Sequence, residues 1–117
     1  MTIRPYEPDD RDACVAIFNS NTPKFFARRQ SDEFLDFLSS PGCELLVVLN
    51  DGDRVVALGG WLLKADGSTA ELCWDMVEAL EHRRGFGTAL LRERIDRLTA
   101  AGARRVEALK ANETRSA

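Results

Sequence analysis

The spacing of apolar residues predicts one strand and two helices in the first third of the chain. The segment TIRPYEP, residues 2–8, has the composition of a short strand, and PDDRDACVAIFNSN, residues 8–21, predicts a helix with Pro8 in its first turn. A second helix is predicted over DEFLDFLSS, residues 32–40, because its apolar positions recur at helical spacing and Ser31 can cap it.

Three β-rich runs follow, with turn-forming residues between them. They cover residues 43–50, 54–64 and 69–77, and the intervening NDGD and ADGS favour tight turns, so an antiparallel meander is predicted. Residues 85–101 predict a third helix, and RRVEAL, residues 104–109, predicts a fifth strand. The apolar positions at helical spacing in the third helix are Phe86, Leu90, Leu91, Ile95 and Leu98.

This order of elements predicts an α/β (α+β) fold, in which a mostly antiparallel sheet is flanked by helices. A strand that follows its predecessor through a helix usually lies parallel to it, so strands four and five should form a parallel pair. A chain of 117 residues is long enough for one modest core, and we predict a single domain over residues 1–117.

Composition and charge narrow the classes of function. With 44% hydrophobic and 30% charged residues, the chain has the balance of an ordinary globular protein. A net charge of -3 argues against nucleic-acid binding through bulk phosphate neutralisation. Its apolar runs are far shorter than the roughly 20 residues that span a bilayer, and MTIRPYEPDD lacks the apolar core of a signal peptide. We therefore expect a cytoplasmic protein that does not bind a membrane.

The residues that ligate metals are too few and too scattered to predict a metal site. Cys14, Cys43 and Cys73 are an odd number at wide spacing, which fits neither a disulfide framework nor a Cys-x-x-Cys motif. His82 is the only histidine in the chain. We predict buried free thiols and no metal.

The most informative stretch is HRRGFGTALL, residues 82–91, where basic residues and two glycines lead into the third predicted helix. The first amides of a helix lack intrahelical partners, and Gly85 and Gly87 would let an anion approach them closely. Arg83 and Arg84 can add charge-assisted hydrogen bonds, and Thr88 can add a hydroxyl. This pattern predicts a pyrophosphate-binding loop.

A Gly-x-Gly pair alone also fits a purely structural role, with one glycine in the loop, the other allowing tight packing, and the arginines solvated. Two familiar phosphate-binding motifs are excluded. A dinucleotide fingerprint needs a small residue where Leu90 stands, and a P-loop needs Gly-Lys-Ser/Thr, which the chain lacks.

Together with the residues before it, this stretch resembles motif A of the GNAT-superfamily acyltransferases. The motif is a strand ending in Val, then Arg/Gln-x-x-Gly-x-Gly/Ala, then a helix, and CWDMVEALEHRRGFGTALL is similar to it. Met76 and Val77 match the strand end, Gly85 and Gly87 match the glycines, and His82 takes the position of the leading Arg/Gln. The order of predicted elements matches the family over nearly the whole chain.

The resemblance implies an acetyl-CoA-dependent N-acyltransferase acting on an amine acceptor. In the family the loop amides bind the pyrophosphate of acetyl-CoA, the strand-end backbone pairs with the pantetheine arm, and the thioester lies between the separated fourth and fifth strands. It also suggests that an asparagine just past the fifth strand contacts the pantetheine arm. The implied cofactor-binding residues are Met76, Val77, His82, Arg83, Arg84, Gly85, Phe86, Gly87, Thr88 and Asn112.

Transfer to an amine needs a base, because an alkyl ammonium has a pKa of about 10.4 and must lose a proton before it attacks. Strict alternation along residues 69–77 places both Glu71 and Asp75 on one face of the strand, and Trp74 and Met76 on the other. Glu71 stands where several family members carry a catalytic glutamate, which favours it as the base, with Asp75 second. Both carboxylates would also fit a half-exposed sheet with no catalytic role.

The sequence also departs from the family pattern at its end. It stops at NETRSA, where the family normally continues into another helix and two strands that supply a tyrosine to protonate the CoA thiolate, and the only tyrosine here is Tyr6. The fifth strand would then be an open edge that a homodimer partner could cover by strand pairing. The alternatives are a non-catalytic CoA-binding or protein-interaction module, or a C-terminally truncated fragment of an acetyltransferase.

Overall fold

A single five-stranded sheet organises the part of the chain that the structure, a computed structural model, describes, namely residues 1–21, 28–40, 44–82 and 84–108. The strands are β1 (Thr2–Pro5), β2 (Glu44–Leu49), β3 (Val55–Leu63), β4 (Thr69–Val77) and β5 (Arg105–Ala108). The helices are α1 (Arg11–Asn21), α2 (Arg28–Ser39) and α3 (Phe86–Ala100), and single 3-10 turns occupy Pro8–Asp10 and Ala79–Glu81. No helix in these described ranges is long and apolar enough to cross a membrane.

The strands lie in chain order, β1-β2-β3-β4-β5, with the first three pairs antiparallel and β4 parallel to β5. This confirms the predicted fold class, the meander and the parallel pair. The parallel pairing runs from Thr69 opposite Arg105 only as far as Leu72 opposite Ala108, although β4 continues to Val77. Within the described residues, none of the last five positions of β4 therefore pairs with β5.

The two faces of the sheet are covered by different helices. On one side, called the α1/α2 face, Phe18 of α1 and Phe34 of α2 pack with Leu58 and Met76 of the sheet. On the other side, called the α3 face, Leu90 and Leu98 of α3 pack against the strands. β2, which lies between β1 and β3, is buried on both sides, which explains why it is a continuous apolar run rather than an alternating one.

Both N-terminal helices differ from prediction at their starts. The first begins as a 3-10 turn, where buried Asp10 accepts hydrogen bonds from the Glu7 backbone and from Arg4. The Arg4 hydrogen bond holds the pKa of Asp10 below its usual value. The second begins at Arg28 rather than after a Ser31 cap, because arginine and glutamine are good helix formers and the helix extends back through them.

Two of the five apolar positions predicted at helical spacing in α3 are exposed, and a charged residue is buried in their place. The buried row is Leu90, Arg94 and Leu98, each four residues apart, whereas Leu91 and Ile95 are 38% and 39% exposed. Because positions four apart share one side of a helix, a buried row through Leu90 and Leu98 must include position 94. The sheet accommodates this arginine opposite Gly59, where a Cβ atom would lie 2.9 Å from Arg94 Cζ.

Candidate functional site

The entrance to α3, residues 84–88, is built around a left-handed glycine. Gly85 precedes the first helical residue with φ of +85°, a conformation that side-chain-bearing residues rarely adopt, and a Cβ there would meet nothing within 4 Å. The first helical hydrogen bond runs from Ala89 N to Gly85 O. The amides of Phe86, Gly87 and Thr88 therefore have no acceptor in the helix and lie at its positive end.

This entrance lies beside the end of β4. A Cβ on Gly87 would lie 3.6 Å from Val77 Cγ2, and Phe86 and Val77 pack against the same buried cluster on the α3 face. The structure therefore brings two of the predicted groups together, the glycine-containing loop and the strand end at Met76 and Val77.

Acidic residues in the connection between β4 and α3 are balanced by arginines. Arg54 forms ion pairs with Glu78 at 2.7 Å and Glu81 at 3.2 Å, and Arg84 pairs with Glu81 at 3.2 Å. These pairs are partly exposed and contribute little to stability, but they offset two negative charges next to the α3 entrance. The entrance can therefore attract an anion even though the whole chain is acidic.

The backbone carbonyl of Val77 accepts two side-chain hydrogen bonds. Glu78 N donates to Val56 O at 2.8 Å, so by antiparallel alternation the peptide groups of Val77 point away from β3. Val77 O accepts from Asn21 Nδ2 at 3.1 Å and contacts His82 Nε2 at 2.8 Å. In this structure His82 binds the strand end, and its contact with a phosphate stays a prediction.

Asn21 and its neighbour Ser20 were not singled out by sequence reasoning. Asn21 is buried at the end of α1 and also donates to Ile17 O at 3.0 Å, while Ser20 Oγ accepts from Ala79 N at 3.3 Å. An asparagine at a helix end is an ordinary capping residue, so its pattern gave no sign of a contact 56 residues away. The end of α1 fixes the course of the chain from β4 towards α3.

A β-bulge interrupts β4 in front of this strand end. Gly60 lies opposite Cys73 and Leu58 lies opposite Met76, so two residues of β4, Trp74 and Asp75, face the single residue between Leu58 and Gly60. Trp74 has φ of +59°, which is rare for a residue with a large side chain. The bulge breaks the strict alternation on which the sequence prediction relied.

The prediction that the two candidate carboxylates share a face is therefore wrong. Trp74 lies against Phe34 on the α1/α2 face, with ring centroids 5.1 Å apart, and Met76 belongs to the same cluster. Asp75 is turned to the α3 face, where it pairs with Arg94. Glu71 precedes the bulge and alternates with Leu72, which packs on the α3 face, so Glu71 faces the α1/α2 side.

Glu71 is half-buried and lies opposite Glu107 of the parallel neighbour β5. Lys64 Nζ donates to Glu107 Oε1 at 2.7 Å. This hydrogen bond, supported by charge attraction, raises the pKa of Lys64 and lowers the pKa of Glu107, and the charge of Glu71 also favours the protonated lysine. Glu71 therefore lies in a mixed-charge group at the edge where β4 and β5 still pair.

Of the other predicted site residues, Arg83 and Asn112 lie outside the described part of the chain. Among the described residues, no group of three or more histidine, cysteine, aspartate or glutamate side chains could hold a metal ion.

Comparison with known proteins identifies the family of this chain. The model of the acetyltransferase (GNAT) family matches residues 11–117, and the chain belongs to that family. No curated protein sequence matches it.

Solved structures share its fold at low sequence identity. A GNAT-family acetyltransferase from Brucella melitensis in complex with acetyl-CoA has a TM-score of 0.77 at 22% identity, covering 93% of this chain and 75% of that one. A GCN5-related N-acetyltransferase from Kribbella flavida has a TM-score of 0.77 at 19% identity, covering 90% and 68%. Aminoglycoside 6'-N-acetyltransferase complexed with coenzyme A has a TM-score of 0.71 at 17% identity, covering 88% and 58%.

The Asn21 contact gives a stability prediction. Replacing Asn21 with Asp removes the donor that serves Ile17 O and Val77 O and places a buried carboxylate against both carbonyls. We expect Asn21→Asp to lower the free energy of unfolding by about 2–3 kcal/mol, measured by urea denaturation. Asn19→Asp, an exposed position in the same helix, adds the same charge near the helix end and should cost less than about 1 kcal/mol. Equal losses in the two variants would contradict the contact.

Proposed function

We propose that this chain is an acetyl-CoA-dependent N-acyltransferase that transfers an acetyl group to an amine of a small molecule or peptide by direct attack. The observation that supports this best is the position of the α3 entrance, with its left-handed Gly85, directly beside the end of β4 that no described strand covers on the β5 side. The Brucella melitensis relative in complex with acetyl-CoA supports the choice of donor. We further propose that residues 1–117 act as one cytoplasmic domain.

The cofactor-binding groups divide into two sets. The amides of Phe86, Gly87 and Thr88 bind the pyrophosphate, with added charge from Arg83 and Arg84 and a further donor in His82. The backbone at Met76 and Val77, with Asn112, binds the pantetheine arm. Since the Val77 carbonyl is already engaged by two side chains, its N–H is the group available to the arm.

The acetyl group arrives as a thioester, and the chain supplies the proton transfer. Glu71 takes a proton from the acceptor ammonium, directly or through water, so that the neutral nitrogen can attack the thioester carbonyl. The new carbon–nitrogen bond replaces the carbon–sulfur bond, and CoA leaves as a thiolate that is protonated by the second proton that the nitrogen loses. Its half-buried position before the bulge places it on the α1/α2 side of the sheet. Asp75 is the second choice, and its ion pair with buried Arg94 favours a structural role for this carboxylate over the role of the base.

A second candidate is a CoA-binding or protein-interaction module without transfer activity. The observation that favours it is β5, a strand of four residues that pairs within the described chain on one side only. Its other edge could pair with a strand of a second copy.

The binding site is tested with two matched glycine variants. Gly85 and Gly102 lie at opposite ends of α3, with φ of +85° and +95°, and a Cβ added at either would meet nothing within 4 Å. Aspartate tolerates such a φ better than most residues, so Gly85→Asp and Gly102→Asp carry similar strain and the same charge. We expect calorimetry to show acetyl-CoA binding to the wild type and to Gly102→Asp, and binding at least about ten-fold weaker in Gly85→Asp. No binding by the wild type, or equal binding by both variants, would contradict the proposed site.

Transfer is tested with Glu71→Gln in a screen of amine acceptors that measures release of the CoA thiol. We expect the variant to bind acetyl-CoA like the wild type and to transfer the acetyl group at least about 100-fold more slowly, because it lacks the base. Glu93→Gln, at a partly exposed position of α3, should behave like the wild type. Binding without turnover on any amine would favour the second candidate, and full activity in Glu71→Gln would remove Glu71 as the base.

A further inference from the structure

Arg94 is a buried cation in the row of α3 that packs on the sheet. Its side chain is 1% exposed, and the neighbouring positions in that row, Leu90 and Leu98, are apolar. Burying a guanidinium is costly, and an apolar side chain of similar size often serves stability as well or better. Its Nε is also buried with no hydrogen-bond partner in the described chain. Stability alone therefore does not explain an arginine at this position.

The guanidinium contacts both strands at the bulge. One terminal nitrogen donates to Gly60 O of β3 at 3.0 Å and to the Asp75 carboxylate of β4. The bulged pair Trp74 and Asp75 faces Gly59, and it is at Gly59 that a Cβ would come within 2.9 Å of the guanidinium carbon. Arg94 thus occupies the space that the missing side chain leaves, and joins the two sides of the irregularity.

The bulge itself needs such support. The left-handed φ of Trp74 is unfavourable, and a strained residue persists only where its surroundings fix it. On the α1/α2 face the Trp74 ring packs on Phe34 and Phe37, with centroids 5.1 and 6.3 Å away. On the α3 face the ion pair between Asp75 and Arg94 is the contact that holds the following residue.

We propose that Arg94 is a positioning residue that fixes the β4 bulge and thereby sets which way the strand end presents its backbone to the pantetheine arm. This inference rests on the proposed acetyl-CoA site. A register change by one residue turns every later side chain and peptide group to the opposite side of a strand. Without the bulge, the N–H of Val77 would point towards β3 instead of away from it, and the arm would lose that donor.

The experiment separates the two halves of the cofactor. Arg94→Met, Asp75→Asn and the double variant are titrated with acetyl-CoA and with 3'-phosphoadenosine 5'-diphosphate, which has the pyrophosphate but no pantetheine arm. We expect each single variant to bind acetyl-CoA about ten-fold more weakly and the nucleotide within about two-fold of the wild type. The double variant should be no weaker than the weaker single one, since both substitutions break one contact. Arg92→Met and Asp96→Asn, which alter exposed residues of α3, are the controls and should match the wild type.

A merely structural role predicts a different result. Loss of packing would lower the unfolding midpoint of Arg94→Met and weaken the binding of both probes together. The positioning role predicts instead an unfolding midpoint equal to or above that of the wild type, with a selective loss of acetyl-CoA affinity. Equal weakening of both probes, or unchanged acetyl-CoA affinity, would overturn the proposal.

The carbon chemical shifts of Trp74 give a readout that does not depend on ligand. They report its left-handed φ in the wild type, and should move towards extended values in Arg94→Met and Asp75→Asn but not in the two controls. Unchanged Trp74 shifts would overturn the role of Arg94 even if the wild type bound neither probe, a result that would separately contradict the proposed function.

Discussion

The unequal pairing of β4 with its two neighbours is the constraint on which the site depends. β4 pairs with β3 on both sides of the bulge, as far as Val77, but with β5 only as far as Leu72, so its last residues present backbone groups that no described strand satisfies on the β5 side. Such groups need partners, and at Val77 the side chains of Asn21 and His82 supply them for the carbonyl. The remaining edge lies beside the N-terminal amides of α3, so one part of the molecule offers both unpaired strand backbone and a site for an anion.

The charge around the α3 entrance is set by nearby residues rather than by the net charge of the chain. The chain carries a net charge of -3, and two of its acidic residues lie in the connection that leads to α3. Arg54 reaches across from the turn before β3 to pair with both of them, and Arg84 adds a second partner for Glu81. The acidic charges next to the positive end of this 15-residue helix are therefore paired, which favours the binding of an anion there.

The sequence was sufficient for the features that depend on local pattern. The five strands, the meander of β2, β3 and β4 and the parallel last pair followed from periodicity, turn residues and crossover geometry, and Gly85 indicated the start of α3. The bulge could not be predicted in this way, because the segment around Trp74 and Asp75 contains no glycine or proline that would mark an irregularity. Its absence from the prediction put Asp75 on the wrong face.

Long-range contacts were the other gap. A single arginine among apolar positions is ordinarily assigned to solvent, so the pattern of α3 gave no sign that Arg94 lies between Gly59 and Asp75. The role of Asn21 likewise depends on its hydrogen bond to Val77, a residue far away in the chain. In both cases the side chain contacts a strand whose position next to it could not be predicted from the sequence.

Titration of the isotopically labelled chain with acetyl-CoA, followed by the backbone amide signals, tests the central claim most directly. The account predicts that the largest changes fall on Gly85, Phe86, Gly87, Thr88 and Val77, with smaller ones elsewhere. Unchanged signals at these residues, or the largest changes at a distant position such as the turn at residues 50–54, would contradict it.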